Sequence, residues 1–203
     1  LSNLTTYITA TCTIRDHQVA VNGAPRWQQP GMALPDFLRA GYDHFGGQYP
    51  KFHKMDTLSK LGWLAAEVLL QQRPLSQYNP EEVGIVLVNR SASLDTDLRY
   101  YDTVQSIASP AVFVYTLPNI VMGEISIRHG FKGEQTFFTA DRYDAALMHT
   151  YVQYLLDTGV MKAAICGWVE VMQDAYEVVL YLVEQQPQGL QQAFTSEAIS
   201  ALC

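Results

Sequence analysis

Cysteine is scarce in this chain. Its three copies, Cys12, Cys166 and Cys203, fall at no spacing used by a metal site or a redox pair, and two of them sit within apolar runs. Buried small hydrophobes account for them, and an odd, unpaired count points to a reducing, cytoplasmic setting. Charge is scarce too, at 16% of residues with a net of −7, and no run of Lys or Arg offsets it. That balance disfavours nucleic acid or anionic lipid as a partner, because both reward a basic field. Lys51, His53, Lys54 and Lys60 form the densest basic cluster, which reads as a solvated surface. No apolar run approaches the roughly 18 residues of a membrane span. The chain begins at Leu1 rather than Met, which leaves room for a trimmed leader.

What the chain does contain is apolar sequence, 48% over 203 residues, enough for one domain over residues 1–203 with a sizeable core. Tyr7 to Ile14 is a β-branched run of strand length. Residues 22–36 hold three prolines and two glycines and read as a loop, with a short helix over 36–45. From Asp56 the apolar positions Leu58, Leu61, Ala65, Val68 and Leu69 recur at helical spacing, with Asp56 as N-cap and Pro74 past the end. Glu82 to Asn89 is a continuous apolar strand of the kind covered on both faces. The polar SASLDTDLRYYD then leads through SPAVFVYTLPN to a helix over Asn119–His129 closed by Gly130. A strand over Thr136–Thr139 and a helix from about Arg142 to Asp157 follow. Lys162–Val171 and Tyr176–Val183 are strands joined too closely for a crossover helix, so they are antiparallel neighbours. The earlier strands, separated by helices, are expected to be parallel. TSEAISALC closes the chain with one or two helical turns.

This α/β order, with MDTLSKLGWLAAEVLL, SPAVFVYTLPNIVMGEISIRHGFKG and the strand-to-helix turn FFTADRYDAALMH, resembles the amino-terminal half of the β-ketoacyl synthases of the thiolase-like superfamily. The middle stretch carries most of the likeness, with Pro118-Asn119 opening a helix that ends Ile125-x-Ile127-Arg128-x-Gly130-x-x-Gly133. The resemblance implies a mixed five-stranded sheet of order 3-2-1-4-5, last strand antiparallel, with helices on both faces. It places YITATCTI at the sheet centre, TFFT at one edge and YEVVLYLV at the other. It also implies 3-oxoacyl-ACP synthase chemistry or a descendant of it.

Condensation needs a thiolate at a helix N-terminus and two further side chains, His or Asn, to stabilise the oxyanion. Counted from Gly133 to Gly159, the nucleophile position of the resembled family falls on Arg142. Cys is absent from 13 through 165, and a guanidinium does not lose its proton near neutral pH. The family's histidines belong to the second half of the synthase. No catalytic residue is therefore assigned, and the expectation is a pseudoenzyme without metal or tightly bound cofactor. Arg142, Asp141, Tyr143 and His149 are the candidate contacts for an anion or an acyl group, including one carried on phosphopantetheine. Asp141 is a candidate helix cap, with Asp144 in the first turn and Arg142 bridging to either. His149 reads as a core or interface histidine, and His129 as one favoured by a helix C-terminus.

The helix after this turn is apolar on almost every side, and the strand Thr136, Phe137, Phe138, Thr139 is a short uncharged edge. Both point to association, and the resemblance implies its form, first a homodimer through that strand, then a heterodimer with a full-length ketosynthase. Three functions follow from the resemblance. One is a non-catalytic subunit of a fatty-acid, polyketide or aryl-polyene pathway that binds a synthase or an acyl carrier protein. Another is a condensing enzyme completed in trans, and the third an acyl- or anion-binding module.

Overall fold

A computed structural model describes residues 5–202; Cys203 and the first four residues lie outside them. The framework is an eight-stranded mixed sheet. Its strands are β1 (Tyr7–Arg15), β2 (Gln18–Val21), β3 (Ala24–Gln28), β4 (Val83–Asn89), β5 (Gln135–Thr139), β6 (Ala163–Met172), β7 (Ala175–Glu184) and β8 (Gln192–Ala193). Along the sheet the order is β3-β2-β1-β7-β6-β4-β5, with β8 pairing the start of β1. The helices are α1 (Leu34–His44), α2 (Thr57–Gln72), α3 (Leu94–Val104), α4 (Pro110–Phe113), α5 (Ile120–His129), α6 (Ala145–Asp157) and α7 (Ser196–Ser200).

The α/β class, the mixed sheet, the antiparallel closing strand and helices on both faces agree with expectation, but the strand number and order do not. The strand YITATCTI does not lie beside β4, and YEVVLYLV is not an edge. Instead β7 is central, antiparallel to β6 on one side and to β1 on the other, while β4 is parallel to both β5 and β6. The physical reason is connectivity. The turn Gln173-Asp174 folds β7 straight back on β6, and the free edge of β7 is then the one that β1 completes, whereas α5 and α6 carry the crossovers among β4, β5 and β6. The supposed loop over 22–36 is also partly strand. Asn22 and Gly23 both take positive φ (52° and 78°), the tight turn that matches strand twist, and fold β3 onto β2. Pro25 is tolerated because β3 is an edge.

Two clusters fill the space on the two faces. Ala10, Cys12 and Ile14 of β1 join Ile85, Leu87 and Ile165 under α1, α2 and α5. Val86, Val88, Cys166, Trp168, Val179 and Tyr181 face α6 and α7. Ile8 belongs to this second cluster although Ala10 belongs to the first, since the β1–β7 register shifts between them and an odd residue inverts the alternation. Gly167, at φ 149°, lets β6 pass β7 where a Cβ would fall on the Val179 carbonyl oxygen.

Helix ends follow local chemistry. Asp56 caps α2 by accepting from Ser59 N at 2.9 Å, as its sequence predicts. Gly130 closes α5 in the left-handed conformation (φ 74°). The polar segment SASLDTDLRYYD forms most of α3, whose Thr96 Oγ1 donates to Asp56 Oδ2 at 2.6 Å.

Candidate functional site

The parallel strands β5, β4 and β6 end together, and their crossovers leave on opposite faces, α5 on one and α6 on the other. The carboxyl ends of such strands, at the point where connections diverge, are where an open α/β sheet places chemistry. Here that place is occupied by Asn89, the bend 141–143 and Glu170.

The strand-end amides are already satisfied. Asn89 is fully buried, its Oδ1 accepting from Ala92 N and its Nδ2 donating to Ala92 O, both at 2.9 Å. Glu170 Oε2 accepts from Arg90 N at 2.7 Å and Ser91 N at 3.2 Å. Backbone donors that would otherwise greet an anion are thus filled by the chain's own side chains. Neither residue was foreseen, because Glu170 lies 80 positions from Arg90 and both sit within otherwise apolar strands.

The bend itself departs from expectation at its cap. Helix α6 starts at Ala145, and Asp144, rather than Asp141, is the N-cap, its Oδ1 accepting from Leu147 N at 2.9 Å. The helix therefore begins three residues after Arg142, because the Asp144 carboxylate terminates it there. Asp141 and Arg142 are exposed. Arg142 bridges neither aspartate: among the described residues no ion pair or hydrogen bond involves it. Tyr143 turns inward instead. Its hydroxyl lies 2.6 Å from that of Tyr181 and its ring meets Trp168 edge-on at 6.1 Å. His149 is half-buried one turn into α6 and packs on Phe194 at 5.1 Å. The four candidates are thus not gathered into one site: Arg142 and Asp141 face solvent, while Tyr143 and His149 serve packing.

Edge strand β5 lies where it was expected. It pairs only with β4, with Thr136 to Phe138 half-buried and Thr139 exposed. Phe138 meets Tyr151 of α6 edge-on at 5.2 Å, and Thr136 Oγ1 lies 2.8 Å from the Tyr151 hydroxyl. Its outer side is open.

No described thiol is available as a nucleophile. Burial pushes the Cys12 thiol up to about 12 and the Cys166 thiol higher still. Among the described residues no group of three or more His, Cys, Asp or Glu is placed to hold a metal ion, and no helix is long and apolar enough to cross a membrane.

Two histidine and lysine assignments change. Lys51 is not merely a solvated cation, since its Nζ sits 2.8 Å from Oε1 of Glu124, a carboxylate 2% exposed that also accepts from the Tyr115 hydroxyl at 3.0 Å. His129 does have an acidic neighbour: its Nε2 lies 2.7 Å from Glu67 Oε1 on α2.

No family model and no curated protein sequence matches the chain. Solved structures do. The ishigamide ketosynthase/chain length factor is similar over 89% of this chain and 62% of that one, with a TM-score of 0.64 and 19% identity. A chain of the ketosynthase ApeO in complex with its chain length factor ApeC, from Xenorhabdus doucetiae, matches over 90% of this chain and 80% of its own, with a TM-score of 0.60 and 14% identity. A β-ketoacyl synthase from Burkholderia phymatum matches over 90% and 59%, with a TM-score of 0.60 and 11% identity. The chain therefore spans about three-fifths of the length of the first of these proteins. Its fold is that of these ketosynthase and chain length factor structures.

Proposed function

We propose that this chain is a ketosynthase-like subunit without condensing chemistry of its own, acting through association in fatty-acid, polyketide or aryl-polyene-type biosynthesis. The observation that carries this reading is the bend after β5. Arg142, which the sequence count assigns to the nucleophile position, is exposed and unpartnered there, and both described cysteines are buried. Glu170 and Asn89 occupy the amides of Arg90, Ser91 and Ala92, which are therefore not free to receive an oxyanion at the end of β4.

The surface favours a partner. Leu94, Tyr101, Ile107, Phe113 and Leu117 on and around α3 and α4, and Tyr154 on α6, are 45% or more exposed. Helices α3 and α4 touch, Tyr100 meeting Phe113 at 5.3 Å between ring centroids, and large apolar side chains exposed on such a pair mark an interaction face. The open edge of β5 adds backbone groups able to extend the sheet. A second copy of the chain is the first partner, a full-length ketosynthase the second, and an acyl carrier protein the third. The solved ketosynthase and chain length factor complexes of this fold support association with a partner.

The test is a decarboxylation assay with malonyl-loaded carrier protein, run beside co-purification with a ketosynthase and a carrier protein. Retention of a partner with no release of carbon dioxide is expected from the chain alone. Carbon dioxide release by the chain alone would overturn the proposal. A second reading, an anion-binding module, is favoured by the unpaired guanidinium of Arg142. Arg142→Ala would then abolish binding of an acyl-phosphopantetheine, and unchanged affinity would exclude it.

A further inference from the structure

A cavity of about 330 Å³ lies at the end of the sheet opposite the bend, between the last turns of α2 and α5 and the connection leading into β4. Strand β4 separates the two by roughly 20 Å, taking about 3.3 Å per residue for its length. The cavity is thus distinct from the strand-end site.

Its lining mixes apolar and polar side chains. Leu70 and Leu75, both buried, line it with Pro80 and Phe131, and the Phe131 ring lies near-parallel to His129 at 5.4 Å between centroids. Glu67 is 7% exposed and lines the cavity. Its Oε1 is held by Arg128 Nε at 3.0 Å and approached by His129 Nε2 at 2.7 Å, whereas Oε2 meets Arg128 alone, at 3.5 Å. That second oxygen retains acceptor capacity. Tyr78, also in the wall, donates its hydroxyl hydrogen to Glu184 Oε1 at 2.9 Å, so what its oxygen offers the cavity is lone pairs. Arg73 balances the charge of Glu184 at 2.8 Å, as Arg128 does that of Glu67.

A space of this size, mostly apolar with a few converging polar groups, has the makeup of a small-molecule site. We propose that it binds a neutral, planar ligand bearing an N–H donor, such as an aromatic amide, with the donor on Glu67 and the ring against Phe131. A carboxylate of the same shape is rejected, because it supplies no donor and brings a negative charge beside a buried carboxylate. This inference stands apart from the proposed association and is tested without any partner.

Benzamide and benzoate are the discriminating probes, being nearly isosteric and differing in donor and charge. Titrated into the ¹⁵N-labelled 203-residue chain, benzamide is expected to shift the amide resonances of Ser76, Gly130 and Phe131 in a saturable manner. Benzoate should bind at least about 10-fold more weakly, the effect of a single lost donor facing a charged acceptor. Ser76→Trp, at an exposed position in the cavity wall, should fill the mouth and abolish the benzamide shifts while leaving the remaining spectrum intact. Glu67→Gln should narrow the preference to about twofold or less, since it removes the charge that excludes benzoate. Absence of benzamide shifts at these residues up to about 20 mM, where even a millimolar ligand saturates, would overturn the proposal. Equal affinity for benzoate, or binding unchanged by Ser76→Trp, would overturn it as well.

Discussion

Helices α2 and α6 lie on opposite faces of the same sheet, and each is apolar on almost every side. Helix α2 is enclosed: every residue from Leu61 to Leu70 is buried, because the sheet takes one side and α1 and α5 take the others. Its ends are secured inside the protein, with the buried Asp56 at the start and Arg73 at the close, whose guanidinium makes two bonds to the fully buried Glu184. Helix α6 buries Ala145, Met148, Val152, Leu155 and Leu156 against the sheet and α7, but leaves Leu147 42% and Tyr154 57% exposed. Its cap, Asp144, is also exposed. The same kind of sequence is thus satisfied within the chain on one face and left unsatisfied on the other. An all-round apolar helix predicts burial, and whatever the chain does not bury it presents to a partner.

Mutations that separate the two faces should differ in kind. The largest effect is expected from Arg73→Ala, which strands Glu184 among Thr9, Gln77 and Tyr78 without its cation. A loss of about 3–5 kcal/mol in urea unfolding is expected for a buried pair broken on one side. Next, Leu64→Ala within α2, at a fully buried position, should cost about 2–5 kcal/mol through the cavity it leaves. Leu147→Ala on α6 should change stability by no more than about 0.5 kcal/mol yet weaken association. Equal costs at the two positions would break the comparison.

Asp144→Ala should remove about 0.5–2 kcal/mol, the worth of an N-cap, with the start of α6 fraying first in hydrogen exchange. The smallest effect concerns acid. Burial pushes the Glu67 carboxyl up, but His129 and Arg128 outweigh it and hold the carboxyl below its ordinary 4.5. A depressed folded value means that this group's stabilisation is present above the unfolded value and disappears as pH falls through the folded one. The stability gap between the natural chain and Glu67→Gln should therefore be open at pH 7 and close below about pH 4. A gap independent of pH would contradict the assignment.

Much of this architecture was legible in the sequence because it is local. The period of α2, the caps Asp56 and Gly130, the continuous apolar run of β4 and the tight β6–β7 turn each announce themselves within a few residues. The hairpin at Asn22-Gly23 was equally local, but the prolines around it favoured a loop. Helix α3 was hidden because only Thr96 among its residues is buried, so no apolar stripe marked it. The sheet order was not local at all, since nothing in YITATCTI specifies that β7 rather than β4 is its neighbour. The same holds for the polar pairs: Arg128 and Glu67 stand 61 residues apart, and only the packing of α5 on α2 brings them together. At the strand-end bend neither the inward turn of Tyr143 nor the occupation of the amides by Glu170 could be read.

The central claim is that the apolar surface left by α6 and the open edge of β5 belong to an interface. Sedimentation equilibrium of the natural chain beside Leu147→Glu/Tyr154→Glu tests it most directly, with circular dichroism to verify that both are folded. The natural chain should sediment at twice the mass of one chain and the double variant at the mass of one. A natural chain that remains monomeric at about 100 μM, well above the dissociation constant of an ordinary specific dimer, would contradict the account.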